Sequence, residues 1–421
     1  MDQIQHVIIL MMENRSFDHY LGALRLEGRT DIEGYGTGPL PVNHMLSASP
    51  TDPGVAPFPL DDLNVRYLDP PHEWRDVRKQ WNGGAMDGFV SNYQEFYAKK
   101  NDPATIQMAK CVMGYYTRKT LPVLYWLADN FVVCDHWFSS FLGSTHPNRA
   151  IANAGDCGDV LTTTWRNAFR NKPLPLWSHW QRAGGDDGIS WRVYKMDSEP
   201  SQFSMWLGWS AEHDKHAATL VDFARDCKRD SLPNVAIIEP PYTIADDHPT
   251  HDPRRGQQFI GYILRTLISS PSWAASTFVL TYDEHGGFFD HVAPPAIPNG
   301  MPPRDYLGLR VPTIIASPHS LHGVGVSDQF DHVTILKSIS ERWQLPVPDS
   351  LAAVFDRTNS FWNSCFDFAA SPPMRMIPPI VRASMTVDVD FANDVPTQSD
   401  FAASLHQMGQ ATSLERMEGL A

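Results

Sequence analysis

The chain has 421 residues, of which 42% are hydrophobic and 19% charged, with a formal net charge of −14. That length and apolar content support a large folded core and exclude a disordered chain. The acidic balance argues against a nucleic-acid surface, which needs clustered lysine and arginine, but it leaves an anionic substrate open because a bound cation reverses the potential locally.

In chain order, the apolar run Gln5–Met12 (QHVIILMM) reads as a buried strand, with Ser16 placed to cap a helix from Phe17. From Thr30 to about Pro71 the chain is dense in proline and glycine and reads as a long surface excursion. Glu73–Tyr97 then carries Trp74, Trp81, Phe89, Tyr93, Phe96 and Tyr97. A helix is expected over Lys119–Asp129, a strand over Asn130–Cys134, and helices over Asn148–Ala154 and Leu176–Ala183. A strand at Ser190–Tyr194 precedes a second aromatic stretch, Phe203–Trp209 (FSMWLGW). Then follow a helix over Ala217–Cys227, a strand over Asn234–Ile238, a helix over Gly256–Ser269, strands over Thr277–Tyr282 and Val311–Ala316, and a helix over Asp331–Trp343. Strands alternating with helices at this spacing imply an α/β fold with a central, mainly parallel sheet flanked by helices. We expect one domain over 1–375, with cap insertions at about 28–110 and 195–216, and a tail over 376–421. Both aromatic stretches read first as packing inside the cap, and second as an apolar rim for a lipid or aromatic ester.

No segment reaches the ~18–20 apolar residues that span a bilayer. Strand-like sequence begins at Ile4, where a secretory leader would stand, so we expect a cytoplasmic protein, or a secreted or periplasmic one whose leader has been trimmed. Cys111, Cys134, Cys157, Cys227 and Cys365 form no CxxC pair, which argues against structural zinc; they read as buried thiols, with one disulfide left open.

In an open parallel sheet, ligands bind beyond the carboxyl ends of the strands, so the residues following each apolar run carry the chemistry. The first run ends in Glu13-Asn14-Arg15-Ser16, and the late run in Asp283-Glu284-His285-Gly286-Gly287. Taken singly, Glu13 suits a helix start and Asp283 with Glu284 a solvated loop. Together they deliver acids to one edge, where mutual repulsion calls for a hard divalent cation such as Mg, Ca or Mn. Ser144-Thr145-His146-Pro147-Asn148-Arg149 places a hydroxyl near a helix begun by Pro147, where free N–H groups favour a phosphate. Metal coordination would activate the Thr145 hydroxyl, and Arg149 would fix the loop or bind an oxyanion. Among the histidines, His72 and His248 are the first candidates to contact substrate or protonate a leaving alkoxide, with His251 and His291 second.

ENRSFDHYLG (Glu13–Gly22), STHPNR (Ser144–Arg149), DDHPTHD (Asp246–Asp252) and DEHGGFFDHV (Asp283–Val292), in order across the chain, resemble the phosphoesterase family of non-specific phospholipases C and related acid phosphatases, within the alkaline phosphatase superfamily. The Thr145–Arg149 run is also similar to the nucleophile loop of sulfatases, where Cys or Ser replaces the threonine. The resemblance implies an alkaline phosphatase-like sheet with a cap, and one divalent metal ion (Ca, Mg, Mn or Zn) held by Glu13, Asn14, Thr145, Asp283 and Glu284. It implies Thr145 as nucleophile, with His72 and His248 on the phosphate or leaving group. The expected activity is hydrolysis of a phospholipid or small phosphomonoester through a phospho-threonine, with peripheral membrane contact. The alternatives are a sulfatase-like hydrolase and a non-catalytic, metal-bound lipid-binding protein.

Overall fold

The computed structural model describes residues 1–36, 38–46, 51–60, 69–98, 108–163, 171–183, 188–196, 201–369 and 378–379. The tail expected from 376 therefore lies almost wholly outside the described residues, as do parts of both expected cap insertions.

Eight strands form the central sheet: β1 (His6–Met12), β2 (Val132–Cys134), β3 (Trp191–Lys195), β4 (Ala217–Thr219), β5 (Val235–Ile238), β6 (Ser276–Tyr282), β7 (Ile314–Ala316) and β8 (Val324–Val326). Their order across the sheet is β8-β2-β7-β6-β1-β5-β3-β4. β1 is central and parallel to β5 and β6. Both its faces are covered, which is why it reads as an unbroken apolar run rather than an alternation. Val7, Ile8, Leu10 and Met12 are fully buried, each worth about 1.5–3 kcal/mol of transfer free energy.

The run expected as a parallel strand over Val311–Ala316 is a correction. Only Ile314–Ala316 pairs, and it runs antiparallel to both β2 and β6. Apolar content states that a strand is buried but not which way it points, and β7 is short enough to be entered from a loop rather than a crossover helix. The helix expected over Ala217–Cys227 begins later, at Leu220, because Ala217–Thr219 pairs with β3. Thr219 and Asp222 form a reciprocal capping box there. The helix Pro253–Ile268 starts with proline in its first turn behind an Asp252 cap.

Two hydrophobic clusters result. The larger surrounds the sheet and takes in Phe203, Trp206 and Leu207, so the second aromatic stretch packs inward. The smaller gathers Tyr35, Val77, Met86, Phe89, Val90, Tyr93, Tyr97, Val112 and Met113 against Leu142, Phe289 and Leu309. It joins the helices Trp74–Trp81 and Phe89–Tyr97 to the loop that follows β6. All five cysteines are unpaired, with Cys134 and Cys365 placed 4.0 Å apart. No helix among the described residues is long and apolar enough to cross a membrane.

Candidate active site

Register decides where the acids meet. Met12 of β1 lies opposite Tyr282 of β6 in a parallel pair, so Glu13 and Asp283 leave neighbouring strands at the same level. Asn14 turns sharply, at φ 57, and its N–H donates to Asp283 Oδ1 at 3.0 Å. Asparagine tolerates this left-handed conformation better than most residues.

The helix Thr145–Ala154 starts two residues ahead of the expected proline start, putting Thr145 in its first turn. Ser144 does not cap it; its hydroxyl donates to Glu73 Oε2 at 2.9 Å. Thr145 Oγ1 donates to Asn14 Oδ1 at 3.3 Å. Arg149, one turn on, spans the acids: Nε reaches Asp283 Oδ2 at 2.8 Å and Nη2 lies 3.3 Å from Glu13 Oε1. The same guanidinium donates to the Met11 and Met12 carbonyls and the Tyr242 hydroxyl, and lies against the Trp206 ring. It is a rigid brace as much as a counter-charge.

His72 enters from the segment ahead of the helix Trp74–Trp81. Its Nδ1 donates to Pro70 O at 2.6 Å, and Nε2 faces Asn14 Nδ2 at 3.5 Å and Glu284 Oε1 at 3.7 Å. Burial opposes its charge, but Glu284 and Asp69 outweigh that and raise it to about 10. The His248 ring is 6.4 Å from that of His72, and the His251 ring 6.1 Å from that of His248. Asp246 Oδ1 accepts both the His248 N–H at 2.9 Å and His251 Nδ1 at 2.5 Å. Three histidines from two segments thus form a row whose far end is held by a buried carboxylate.

His291 is a correction. It turns away into another group, where it donates to Asp18 Oδ2 at 2.6 Å beside Asp290 and Arg310. Asp18, Asp290 and His291 offer ligand atoms within 4.8 Å of one another, but Arg310 already bridges the two carboxylates.

Charge at the site is under-compensated. Burial pushes the Glu13 carboxyl well above its ordinary range against the pull of Arg149, and the neighbouring Asp283, Asp246 and Glu284 push it further the same way. Burial also raises Asp283, against Arg149. Glu284 goes the other way: burial is outweighed by His72 and His285. Its Oε2 accepts from Gly286 N–H at 2.6 Å, while its Oε1 is buried without a hydrogen-bond partner. An open carboxylate oxygen beside Asn14, Asp283 and Glu13 is the donor set a hard divalent cation takes. Two glycines make this closeness possible. A Cβ on Gly286 would lie 2.1 Å from Asn14 O, and one on Gly287 2.6 Å from Pro70 Cβ.

Several residues here carried no assigned role in the sequence. Asp246 and Arg15 lay inside recognised motifs; Arg15 Nε donates to Asp247 O at 2.7 Å and so ties the turn after β1 to the His248 loop. Tyr242, Glu73 and His332, whose Nε2 donates to Asp283 O at 2.8 Å, had no local signal.

The Phosphoesterase family profile matches residues 4–346. Phospholipase C B of Mycobacterium tuberculosis (strain ATCC 25618 / H37Rv) is 32% identical over 428 residues, spanning 88% of this chain and 78% of its own. Non-specific phospholipase C1 of Arabidopsis thaliana is 31% identical over 367 residues, spanning 81% and 67%. Among solved structures, human ectonucleotide pyrophosphatase / phosphodiesterase 5 aligns over 73% of this chain and 98% of its own, with 11% identity and a TM-score of 0.37, a likeness too distant to carry an argument. With the profile running through β1, the Thr145 helix and the loop after β6, and relatives above 30% identity over most of both chains, the chain belongs to the phosphoesterase family, hydrolases of phosphoric ester bonds.

Proposed function

We propose that this protein is a phospholipase C-type phosphoesterase that uses one divalent cation and a phospho-threonine intermediate. The observation that supports the reading is the strand register that brings Glu13 and Asp283 to one edge of the sheet, with Asn14 bonded to both Asp283 and the Thr145 hydroxyl and Glu284 Oε1 left without a hydrogen-bond partner. These five residues would hold the cation, and the names of the relatives favour a phospholipid over a simple monoester. When bound, the cation neutralises the phosphoryl oxygens and makes the Thr145 hydroxyl more acidic.

Thr145 releases its hydroxyl proton to solvent and its Oγ1 attacks phosphorus in line, forming one P–O bond as the bond to the alcohol leaving group breaks. His72, its Nδ1 held by the Pro70 carbonyl, presents Nε2 to a phosphoryl oxygen. His248, in a loop fixed by Asp246, gives the leaving alkoxide its proton, and His251 on the same carboxylate keeps that loop in place. Water then attacks the phospho-threonine, giving one proton back to His248 as the Thr145–phosphorus bond breaks; the phosphorylated head group leaves and Thr145 recovers its hydroxyl proton from solvent. Arg149, braced by Met11, Met12 and Tyr242, keeps Asp283 in position throughout.

The test is a substrate panel of phosphatidylcholine, phosphatidylethanolamine, p-nitrophenyl phosphate and an aryl sulfate, each with and without chelator. Chelator-sensitive release of diacylglycerol is the expected result. Exclusive turnover of the sulfate, or lipid binding without hydrolysis, would overturn it.

A further inference from the structure

Gln80, in the helix Trp74–Trp81, is fully buried. A buried amide is costly unless its donors and acceptor are matched, so its partners are informative. Its orientation follows from the far end of a chain of bonds. The Asp76 carboxylate accepts Asn92 Nδ2 at 3.1 Å, which turns the Asn92 oxygen toward Gln80. Gln80 meets it with Nε2 at 2.9 Å and donates its second N–H to Pro71 O at 2.6 Å. Only Oε1 remains, 2.8 Å from His285 Nε2, which must therefore be the donor. The other ring nitrogen of His285 lies 3.2 Å from Glu284 Oε2. One amide thus grips two arms of the site: the Pro71 carbonyl, next to His72, and, through His285, the carboxylate whose Oε1 is open.

We propose that Gln80 is a positioning residue that sets the reach of His72 and aims Glu284 Oε1, so that closing the cap helices and completing the site are one event. The proposal rests on the phosphoesterase reading above. Apolar packing alone would not require it, because a methionine fills nearly the same volume without these bonds.

The test uses the full-length protein, with kcat and KM on the ester that the wild type turns over best, Mn2+ binding to chelator-treated protein by calorimetry, and Tm. Asn43 serves as the control. It is equally buried and bonds only cap atoms, donating to Met86 O and accepting from Phe89 and Val90 N–H. Gln80→Met should lower kcat at least ~10-fold with KM within about twofold and weaken Mn2+ binding ~10-fold. Asn43→Ala should lower Tm while keeping both kcat and Mn2+ affinity. Gln80→Glu keeps an acceptor toward His285 but loses the donors to Pro71, so it should retain Mn2+ affinity yet lose turnover; it also decides the matter if Gln80→Met does not fold. Wild-type kcat and Mn2+ affinity in the Gln80 variants, or equal losses in Asn43→Ala, would overturn the proposal. A wild-type protein that hydrolyses no ester fails the phosphoesterase reading alone, and the Mn2+ measurements then judge Gln80 by themselves.

Discussion

Two buried groups of acids, each built around one arginine, behave in opposite ways. Around Arg310 every oxygen of the Asp18 and Asp290 carboxylates is used. Asp18 Oδ1 takes Arg310 Nη2, and Asp18 Oδ2 takes the backbone and ring N–H of His291. Asp290 Oδ1 takes Arg310 Nε and the Val292 N–H, and Asp290 Oδ2 takes the Asp18 N–H. Around Arg149, Glu284 Oε1 has no such partner, and the guanidinium is shared among acids, carbonyls and a phenol. Ionisation does not separate the two groups: burial is outweighed at Asp18 by His291 and Arg310 and at Glu284 by His72 and His285, lowering both carboxyls, whereas burial wins at Asp290 and Glu13 and raises both. Buried acids are therefore not diagnostic of a site by themselves; an open oxygen among several acids at aligned strand ends is the sharper signal.

The contrast can be broken in several ways, starting with the largest effect. Thr145→Ala should lower turnover by about 10³-fold or more, because the nucleophile is lost, with far-UV circular dichroism unchanged. Near wild-type diacylglycerol release would remove Thr145 from its role. Arg310→Met leaves Asp18 and Asp290 buried without their cation and should destabilise the fold by about 3–5 kcal/mol in urea titration, while the molecules that remain folded still bind Mn2+. A loss under ~1 kcal/mol would mean the two groups are not different in kind. Asp283→Asn should weaken Mn2+ binding about 10–100-fold, whereas Asp290→Asn should leave it unchanged, measured as metal content after dialysis. Equal metal content in both variants would erase the distinction.

The smallest effect is a slope. Burial, partly offset by Arg15 and the Tyr282 hydroxyl, raises Asp247 to about 7. The folded value lies above the unfolded one, so the native protein holds a proton that the unfolded chain releases. Its contribution to stability is complete below about pH 4 and is lost as the pH rises through about 7. Asp247→Asn should flatten that slope, making wild type more stable relative to the variant at pH 5 than at pH 8 in urea titrations. The reverse order would show that Arg15 keeps the carboxylate ionised.

The strand ends could be read from sequence because burial on both faces leaves β1 and β6 as unbroken apolar runs, and parallel strands share a carboxyl edge. Direction could not be read for β7, and the strands at the two margins, β4 and β8, are short and only partly buried, so no apolar run marks them. His291, though close in sequence to the Asp283 loop, bonds Asp18 instead, because adjacency in sequence says nothing of which way a loop turns. Glu73, Gln80, Tyr242 and His332 were invisible for a different reason. Each matters through hydrogen bonds to segments distant in sequence, and no local pattern encodes such a bond.

Gly286 and Gly287 hold three stretches of chain closer than any side chain would permit. For anyone diversifying this enzyme, that sets a boundary on the library. Random replacement in the 283–287 loop should yield mostly dead clones whatever ester is screened.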